Sequence, residues 1–204
     1  MDWSVAHSLN LFLYHNDGIE DPLSWYVQVS EALFLGMLVV VCLLARGERW
    51  ASVRRAAVAA GLSAGLGLLI AKLITEVYDR PRPFVAHPRA VHLFISHARD
   101  ASFPSDHSTA AMAIAVAILL RRKSWWGWIC FVFALLLMFG RVAVGFHYPT
   151  DVLGGAAIGA LCALLLWAPP LRGLIDALAD WAGGIWDRAT RAITPRGLAR
   201  SPRA

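Results

Sequence analysis

Five apolar runs divide the chain, and polar segments separate them. They cover residues 24–45, 56–77, 108–120, 124–140 and 152–168. A helix needs about 20 predominantly apolar residues to cross a bilayer, and the shorter third run gains length from a polar start that reaches back to Ser105. The pattern therefore predicts an all-α, polytopic membrane helix bundle of about five spans.

Two further segments have apolar residues at helical spacing without being spans. Within residues 1–23 the spacing predicts a short interfacial helix ahead of the first span. Residues 171–193 combine apolar positions with acidic and basic ones, which is typical of an amphipathic helix on a membrane surface, with Gly183-Gly184 as a candidate break. Residues 194–204 are basic and contain two prolines, so we expect them to be disordered.

The composition favours a membrane protein over a soluble domain. Of 204 residues, 58% are hydrophobic and 16% are charged, against about 45–50% apolar and about 25% charged residues in soluble domains. The net charge of +5 comes from basic residues scattered among loops, which does not indicate a nucleic-acid-binding surface. Three cysteines inside apolar runs are expected to be core or lipid-facing residues: Cys42, Cys130 and Cys162.

The distribution of basic residues predicts an orientation. Five spans place the basic segments 46–55 and 121–123 and the chain from residue 169 onward on one side of the membrane. Residues 1–23 contain neither Lys nor Arg, so we expect no cleavable signal peptide and, by the positive-inside rule, an external N-terminus. Residues 1–170 then form a membrane domain and residues 171–204 an amphipathic cytoplasmic tail.

Two polar stretches, 78–107 and 141–151, share the external face in this topology. Arginines on that face oppose the positive-inside rule and therefore indicate an anionic ligand; they are Arg80, Arg82, Arg89 and Arg99. A connection as long as 78–107 without regular structure is more often functional than idle.

The residues in these stretches suit phosphate chemistry. Arginine matches phosphate geometry, and a helix N-terminus near Ser105 offers free N–H groups to an anion. Of the two histidines, His107 and His147, one could attack phosphorus while the other protonates the departing oxygen and then activates water. Asp151 could orient a histidine by binding its other ring nitrogen. The alternative is a charged inter-helix loop that contains a histidine by chance.

Three motifs resemble, in order, those of the type-2 phosphatidic acid phosphatase superfamily. They are Arg82-Pro83, Pro104-Ser105-Asp106-His107 and Arg141-x5-His147-x3-Asp151. This superfamily consists of membrane lipid phosphatases related in their core to vanadium haloperoxidases. The longer sequences around the first two motifs are similar to those of the bacitracin-resistance-type undecaprenyl-diphosphate phosphatases.

The resemblance implies a role for each matching residue. His147 would be the nucleophile, oriented by Asp151, and His107 would be the general acid and then the general base. The phosphate would be bound by Arg82, Arg141, Ser105 and backbone amides near Asp106, an acid where the family commonly has Gly.

The first motif departs from the family pattern. The family has a Lys seven residues before its Arg, and Thr75 occupies that position here. Lys72, one turn earlier, or Arg80 could supply the missing cation. For Lys72 an ion pair with Glu76 is the simpler interpretation.

The implied activity is hydrolysis of undecaprenyl diphosphate to undecaprenyl phosphate and inorganic phosphate. It would proceed at the periplasmic face of the bacterial inner membrane through a phosphohistidine, without cofactor or metal, and would recycle the lipid carrier for cell-wall synthesis. The alternatives are a broader lipid phosphatase acting on phosphatidylglycerol phosphate or phosphatidate, and a non-catalytic lipid-phosphate binder or flippase. The expected partners are the isoprenoid diphosphate and the membrane, with no nucleic acid and no predicted oligomeric state.

Several residues keep open roles. The spacing of His87, His92 and His97 fits no usual zinc pattern. Glu31, near the start of the first span, could be an acid close to the headgroups or could act near the site.

Overall fold

The computed structural model describes residues 1–122 and 125–193, with side chains described up to Thr190. Its helices are α1 Asp2–Tyr14, α2 Asp17–Leu44, α3 Ala51–Thr75, α4 Pro83–Ala86, α5 Asp106–Arg121, α6 Trp125–Ala143, α7 Pro149–Trp167 and α8 Pro169–Ile193. A 3-10 turn, Glu48–Trp50, precedes α3. The predicted all-α bundle is confirmed, since no strand occurs in the described ranges. Lys123 of the predicted basic loop and the predicted disordered segment 194–204 lie outside them.

Four helices, α2, α3, α6 and α7, are long and apolar enough to cross a membrane. The helix α5 has 16 residues and is about 24 Å long, which is short for a span. Its start lies beside the start of α7, where the Ser105 N–H donates to the carbonyl oxygen of Asp151 at 3.1 Å. Its end lies beside the end of α7, where the Arg121 guanidinium lies 5.8 Å from the centroid of the Trp167 ring. The helix α5 therefore runs the length of the bundle, and the protein is a multi-pass membrane protein.

Close packing of α5 against α7 fixes the relative position of their N-termini. A Cβ on Gly155 would lie 2.5 Å from the carbonyl oxygen of Ser105, and one on Gly159 would overlap the carbonyl oxygen of Thr109. Glycine at both positions lets the two backbones approach directly, as small residues do in membrane helix pairs. The start of α5, with His107, is thereby held next to the start of α7.

The helix α8 packs across the opposite end of the bundle. Arg54 of α3 is buried and donates hydrogen bonds to the carbonyl oxygens of Ala179 and Ala45, both at 3.1 Å. The helix α8 continues through Gly183 and Gly184, so the predicted break there is wrong. Glycine at position 183 leaves room for the Arg54 guanidinium, which a side chain there would overlap. Its outer face exposes apolar side chains, which suits contact with a membrane surface; they are Leu174, Leu178, Trp181 and Ile185.

The helix α1 packs against α6 and the loop before α5. The buried side chain of Asn10 donates to the carbonyl oxygens of Ala143 and His92, both at 2.9 Å, and accepts from the N–H of His92 at 2.8 Å. Rings of Trp3 and Tyr14 stack on His87 and His92, with centroids 3.7 and 3.6 Å apart. The segment predicted to lie at the interface is therefore part of the support of the polar loop.

Candidate active site

The segment between α6 and α7 places His147 directly before a helix start. Gly145 makes the turn with φ of 84°, a conformation that glycine adopts without strain. Pro149 occupies the first turn of α7, and the Asp151 carboxylate accepts from the Tyr148 N–H at 2.8 Å, which closes a capping box. His147 is thereby held in the interior, with 1% of its surface exposed.

The hydrogen bonds of His147 define its tautomer. Its Nδ1 lies 2.8 Å from the backbone carbonyl oxygen of Ser102, and because a carbonyl only accepts, Nδ1 carries the proton. The Nε2 lone pair faces Nη1 of Arg82 at 3.0 Å and Nη2 of Arg141 at 3.1 Å. Burial, together with these two guanidinium groups, holds the pKa of His147 well below its ordinary value. The ring is therefore neutral, with a nucleophilic nitrogen between two cations.

Asp151 acts on His147 largely through Ser102. Its Oδ2 is 3.8 Å from Nδ1 of His147, too far for a direct hydrogen bond. The Ser102 hydroxyl donates to the same oxygen at 2.6 Å while the Ser102 carbonyl holds the imidazole. Ser102 therefore joins the carboxylate to the histidine, a role that the motif comparison did not reveal.

Arg80 lies behind this pair rather than beside Nε2. Its guanidinium donates to Oδ1 of Asp151 and to Asp2 of α1, both at 2.6 Å, and to the Thr150 hydroxyl at 2.7 Å. It also lies 4.0 Å from the centroid of the Tyr148 ring. Arg80 thus compensates the buried Asp151 charge instead of joining the arginines around His147.

Lys72 forms the ion pair with Glu76, at 2.8 Å, that the spacing predicts, and its side chain is 72% exposed. Thr75, at the position of the family Lys, donates its hydroxyl proton to the Lys72 carbonyl oxygen at 2.7 Å. Within the described residues, neither side chain contacts the two arginines around His147.

Arg82 and Arg141 form the cationic wall of the site. Nε of Arg82 donates to the Asp100 carboxylate at 2.9 Å, and Nη1 also donates to the Phe146 carbonyl oxygen at 3.3 Å. Arg141 lies in the last turn of α6 and is 3% exposed. Its Nε has no hydrogen-bond partner, and a buried donor without a partner needs an explanation. An anion bound between these arginines would provide one.

His97 is a third imidazole in the site. Its Nε2 lies 3.1 Å from Nη2 of Arg141, and its Nδ1 lies 3.1 Å from the Ala98 carbonyl oxygen. Burial, reinforced by Arg82 and Arg141, lowers the pKa of His97, so the neutral ring accepts from Arg141. Its position depends on the fold of an irregular loop and could not be predicted from the sequence. The only feature of the sequence that drew attention to His97 was the regular spacing of the three loop histidines.

The second histidine of the motifs, His107, lies at the same end of the bundle as His147. It follows the N-cap residue Ser105, whose hydroxyl accepts from Ser108. Its charge is one of those that lower the pKa of His147, after burial and the two arginines. Its Nε2 lies 3.4 Å from Oε2 of Glu31 on α2. Glu31 is therefore at the site, one of the two positions left open for it.

An apolar cavity of about 480 Å³ opens between α2, α3 and α5 beside His107. Its polar end has Glu31, Asp106 and His107, and its other walls are apolar, including Phe34, Leu68 and Ile114. A second cavity of about 450 Å³ lies further along the same helices, between Leu38, Val53 and Ile118. Both cavities lie along the same three helices, so apolar walls are found beside His107 and again further along the bundle.

Together these features describe a buried, neutral imidazole between two arginines, an arrangement that suits phosphate chemistry. Residues 56–172 match the PAP2 superfamily. The chain is 34% identical over 200 residues to the undecaprenyl-diphosphatase BcrC of Bacillus subtilis, covering 97% of this chain and 100% of that protein. The protein therefore belongs to the PAP2 superfamily, which confirms the resemblance seen in the motifs.

Two other comparisons agree with this assignment. The chain is 29% identical over 185 residues to the putative undecaprenyl-diphosphatase YbjG of Escherichia coli, covering 87% of this chain and 92% of that protein. The crystal structure of a PAP2-type phosphatidylglycerolphosphate phosphatase from Bacillus subtilis superposes with a TM-score of 0.60 at 21% identity, covering 80% of this chain and 83% of that one. At that identity the structural likeness supports the fold alone.

Proposed function

We propose that the protein hydrolyses undecaprenyl diphosphate to undecaprenyl phosphate and inorganic phosphate. The observation that carries the proposal is Nε2 of His147, deprotonated and lying 3.0 Å from Arg82 and 3.1 Å from Arg141. Relatives that cover 97% and 87% of the chain are named undecaprenyl-diphosphatase and putative undecaprenyl-diphosphatase. The apolar cavity beside His107 and the second cavity further along the same helices suit an isoprenoid chain.

In the first step Arg82 and Arg141 donate hydrogen bonds to the terminal phosphate instead of to Nε2 of His147. Ser105 and the backbone amides at the start of α5 donate further hydrogen bonds to the phosphate. Nε2 of His147 attacks phosphorus, and the bond from phosphorus to the bridging oxygen breaks. His107 gives its proton to that oxygen as the lipid monophosphate leaves. The arginines stabilise the charge on the equatorial oxygens.

In the second step water enters where the lipid phosphate was. His107, now neutral, accepts a proton from this water, whose oxygen attacks phosphorus while the bond to Nε2 breaks. Inorganic phosphate leaves, and His147 returns to the neutral tautomer that the Ser102 carbonyl selects. Protons, bonds and charges therefore return to their starting state after one hydrolysis.

The proposed orientation places the histidines at the periplasmic face and α8 at the cytoplasmic face of the bacterial inner membrane. The distribution of arginines supports it, because α8 and the 46–55 segment lie at the end of the bundle away from His147. Residues 1–170 would then be the phosphatase domain and 171–204 a cytoplasmic tail. A Ser96→Cys variant should react with a membrane-impermeant maleimide added outside, and labelling only after lysis would reverse the orientation.

The activity is tested by phosphate release from undecaprenyl diphosphate by the purified protein, with and without EDTA. We expect activity with the chelator, loss of turnover in His147→Ala, and normal turnover in the exposed control His15→Ala. Phosphatidylglycerol phosphate and phosphatidate serve as competing substrates. Higher kcat/KM on either would reassign the lipid, and full activity of His147→Ala would reject the nucleophile.

A further inference from the structure

Glu31 is the one charged residue between Asp21 and Arg46, in the middle of the apolar helix α2. Its side chain is 65% exposed at the bundle surface, where a spanning helix meets lipid. An acid inside a membrane-spanning helix is costly, and such residues usually face a partner or a functional site.

The partner of Glu31 is His107. Oε2 of Glu31 lies 3.4 Å from Nε2 of His107, and both side chains line the mouth of the cavity between α2, α3 and α5. Among the described residues, Glu31 is the one whose carboxylate lies within ion-pair distance of the His107 ring. A helix otherwise remote from the three motifs therefore reaches the residue proposed as general acid.

The charges around His107 explain why a carboxylate is needed there. Cations face it from α6 and from the loop before α5, and a charged imidazole beside them is disfavoured. The carboxylates that oppose them are Glu31 of α2, Asp106 of α5 and Asp100 of the loop. Lys72 of α3 is paired with Glu76. The cations are Arg82 and Arg141, and the imidazoles of His97 and His147 also face His107.

We infer that Glu31 is a positioning residue for His107. Its carboxylate pairs with the imidazolium, whose Nε2 lies 3.4 Å away, holds the ring at the cavity mouth and offsets the charge of the two arginines. In the first step it keeps His107 in the form that gives a proton to the bridging oxygen. In the second step it stabilises the imidazolium that forms when His107 takes a proton from water. Glu31 itself forms no covalent bond.

The inference rests on the proposed function, and its kinetic test uses undecaprenyl diphosphate. We expect Glu31→Gln to lower kcat at neutral pH by about tenfold, a part of the ~10²–10⁴-fold that a general acid contributes. The alkaline limb of the pH profile should move to lower pH, because the proton donor is lost earlier as pH rises. Glu31→Asp should restore part of the rate, since it keeps the charge.

The matched control is Glu20→Gln, because Glu20 lies on the same helix and contacts Ser24. It should leave both rate and pH profile unchanged. A profile of Glu31→Gln that coincides with that of the wild type, or an equal shift in Glu20→Gln, would overturn the inference.

A titration separates this inference from the substrate assignment. NMR of histidine-labelled protein in detergent follows the His107 ring directly, with the signal assigned through His107→Gln. The His107 midpoint should move to lower pH in Glu31→Gln and stay in place in Glu20→Gln. If it moves while the wild type releases no phosphate from undecaprenyl diphosphate, the substrate proposal fails and the positioning role stands. If it does not move, the positioning role fails whatever the substrate.

Discussion

The imidazole of His147 is held by the backbone carbonyl oxygen of Ser102, which lies 2.8 Å from Nδ1. The Asp151 carboxylate, at 3.8 Å, reaches the same nitrogen less closely. In a triad the acid usually contacts the histidine directly. Here the Ser102 carbonyl makes that contact, and the Ser102 hydroxyl donates to the acid.

Ser102→Ala tests this division of work. The variant keeps the carbonyl that fixes the tautomer but removes the 2.6 Å hydrogen bond to Asp151. We expect kcat to fall about tenfold, the equivalent of ~1.4 kcal/mol, and Asp151→Asn to be considerably worse. The control Ser96→Ala changes an exposed serine of the same loop. Equal activities of Ser102→Ala and Ser96→Ala would show that the hydroxyl contributes nothing.

The phosphoryl group should be found on Nε2 of His147. His107→Ala removes the acid of the first step and the base of the second. Because a lipid monophosphate leaves without a proton more readily than water attacks without a base, the second step should be slowed more, and the intermediate should accumulate when the variant is mixed with undecaprenyl diphosphate. Rapid quenching at alkaline pH and mass spectrometry should find phosphate on the peptide containing His147, and 31P NMR should identify the Nε2 isomer. The double variant His107→Ala/His147→Ala should carry none. Phosphate on Nδ1 would contradict the tautomer inferred from the Ser102 contact.

Much of the site could be predicted from motif spacing, because the motif residues sit at helix starts and ends. His107 and Asp151 lie in first helical turns, and Arg141 lies in a last one. Ser102 and His97 could not be assigned, because they lie in an irregular loop whose path depends on contacts with α1 and α7. Glu31 could be located on a span but not on its face, since apolar residues surround it on all sides of α2.

The role of Arg80 also could not be predicted from the sequence. Both Arg80 and Arg82 precede the same short helix, and spacing alone does not say which guanidinium faces the nucleophile. The fold separates them because Asp2 of α1 and Asp151 attract Arg80 to one side, while Asp100 attracts Arg82 to the other. The third predicted span corresponds to α5, whose 16 residues make it identifiable as a traversing helix by its end contacts rather than by its length.

The pH dependence should reveal the arginines around His147. Burial, Arg141 and Arg82 lower the pKa of His147, and a nucleophilic imidazole must be neutral. Activity is therefore lost as pH falls through that lowered pKa. Arg82→Gln removes one cation, so the pKa of His147 should rise and the acid limb of kcat/KM should move to higher pH. The loss of a phosphate ligand should also lower kcat/KM by about 10²-fold.

Arg89→Gln is the control for this profile, because Arg89 is an exposed arginine of the same loop. It should change neither the limb nor the rate. An acid limb of Arg82→Gln at the wild-type position would mean that the Arg82 charge does not act on His147.

The contact of α1 with the loop should matter for stability. The Asn10 side chain is 1% exposed and makes three hydrogen bonds to backbone groups. Asn10→Ala leaves these buried groups unpaired, at a cost of about 1–3 kcal/mol for each group left without a partner. We expect a clear decrease in the thermal unfolding midpoint in detergent. Asn16→Ala, which removes an exposed amide bonded to the Phe12 carbonyl oxygen, should change it little, and equal decreases would contradict the α1 contact.

The second cavity should make turnover depend on isoprenoid length. Val53→Trp places a large ring in the cavity of about 450 Å³ remote from the histidines, where only a long chain would reach. The KM for undecaprenyl diphosphate should rise about tenfold, as expected if about two methylene groups lose apolar contact at ~0.8 kcal/mol each. The KM for farnesyl diphosphate, whose shorter chain ends in the first cavity, should stay the same. Leu69→Trp, at an exposed position of the same helix, serves as control, and an equal effect of Val53→Trp on both substrates would mean that the chain leaves the bundle before it reaches this cavity.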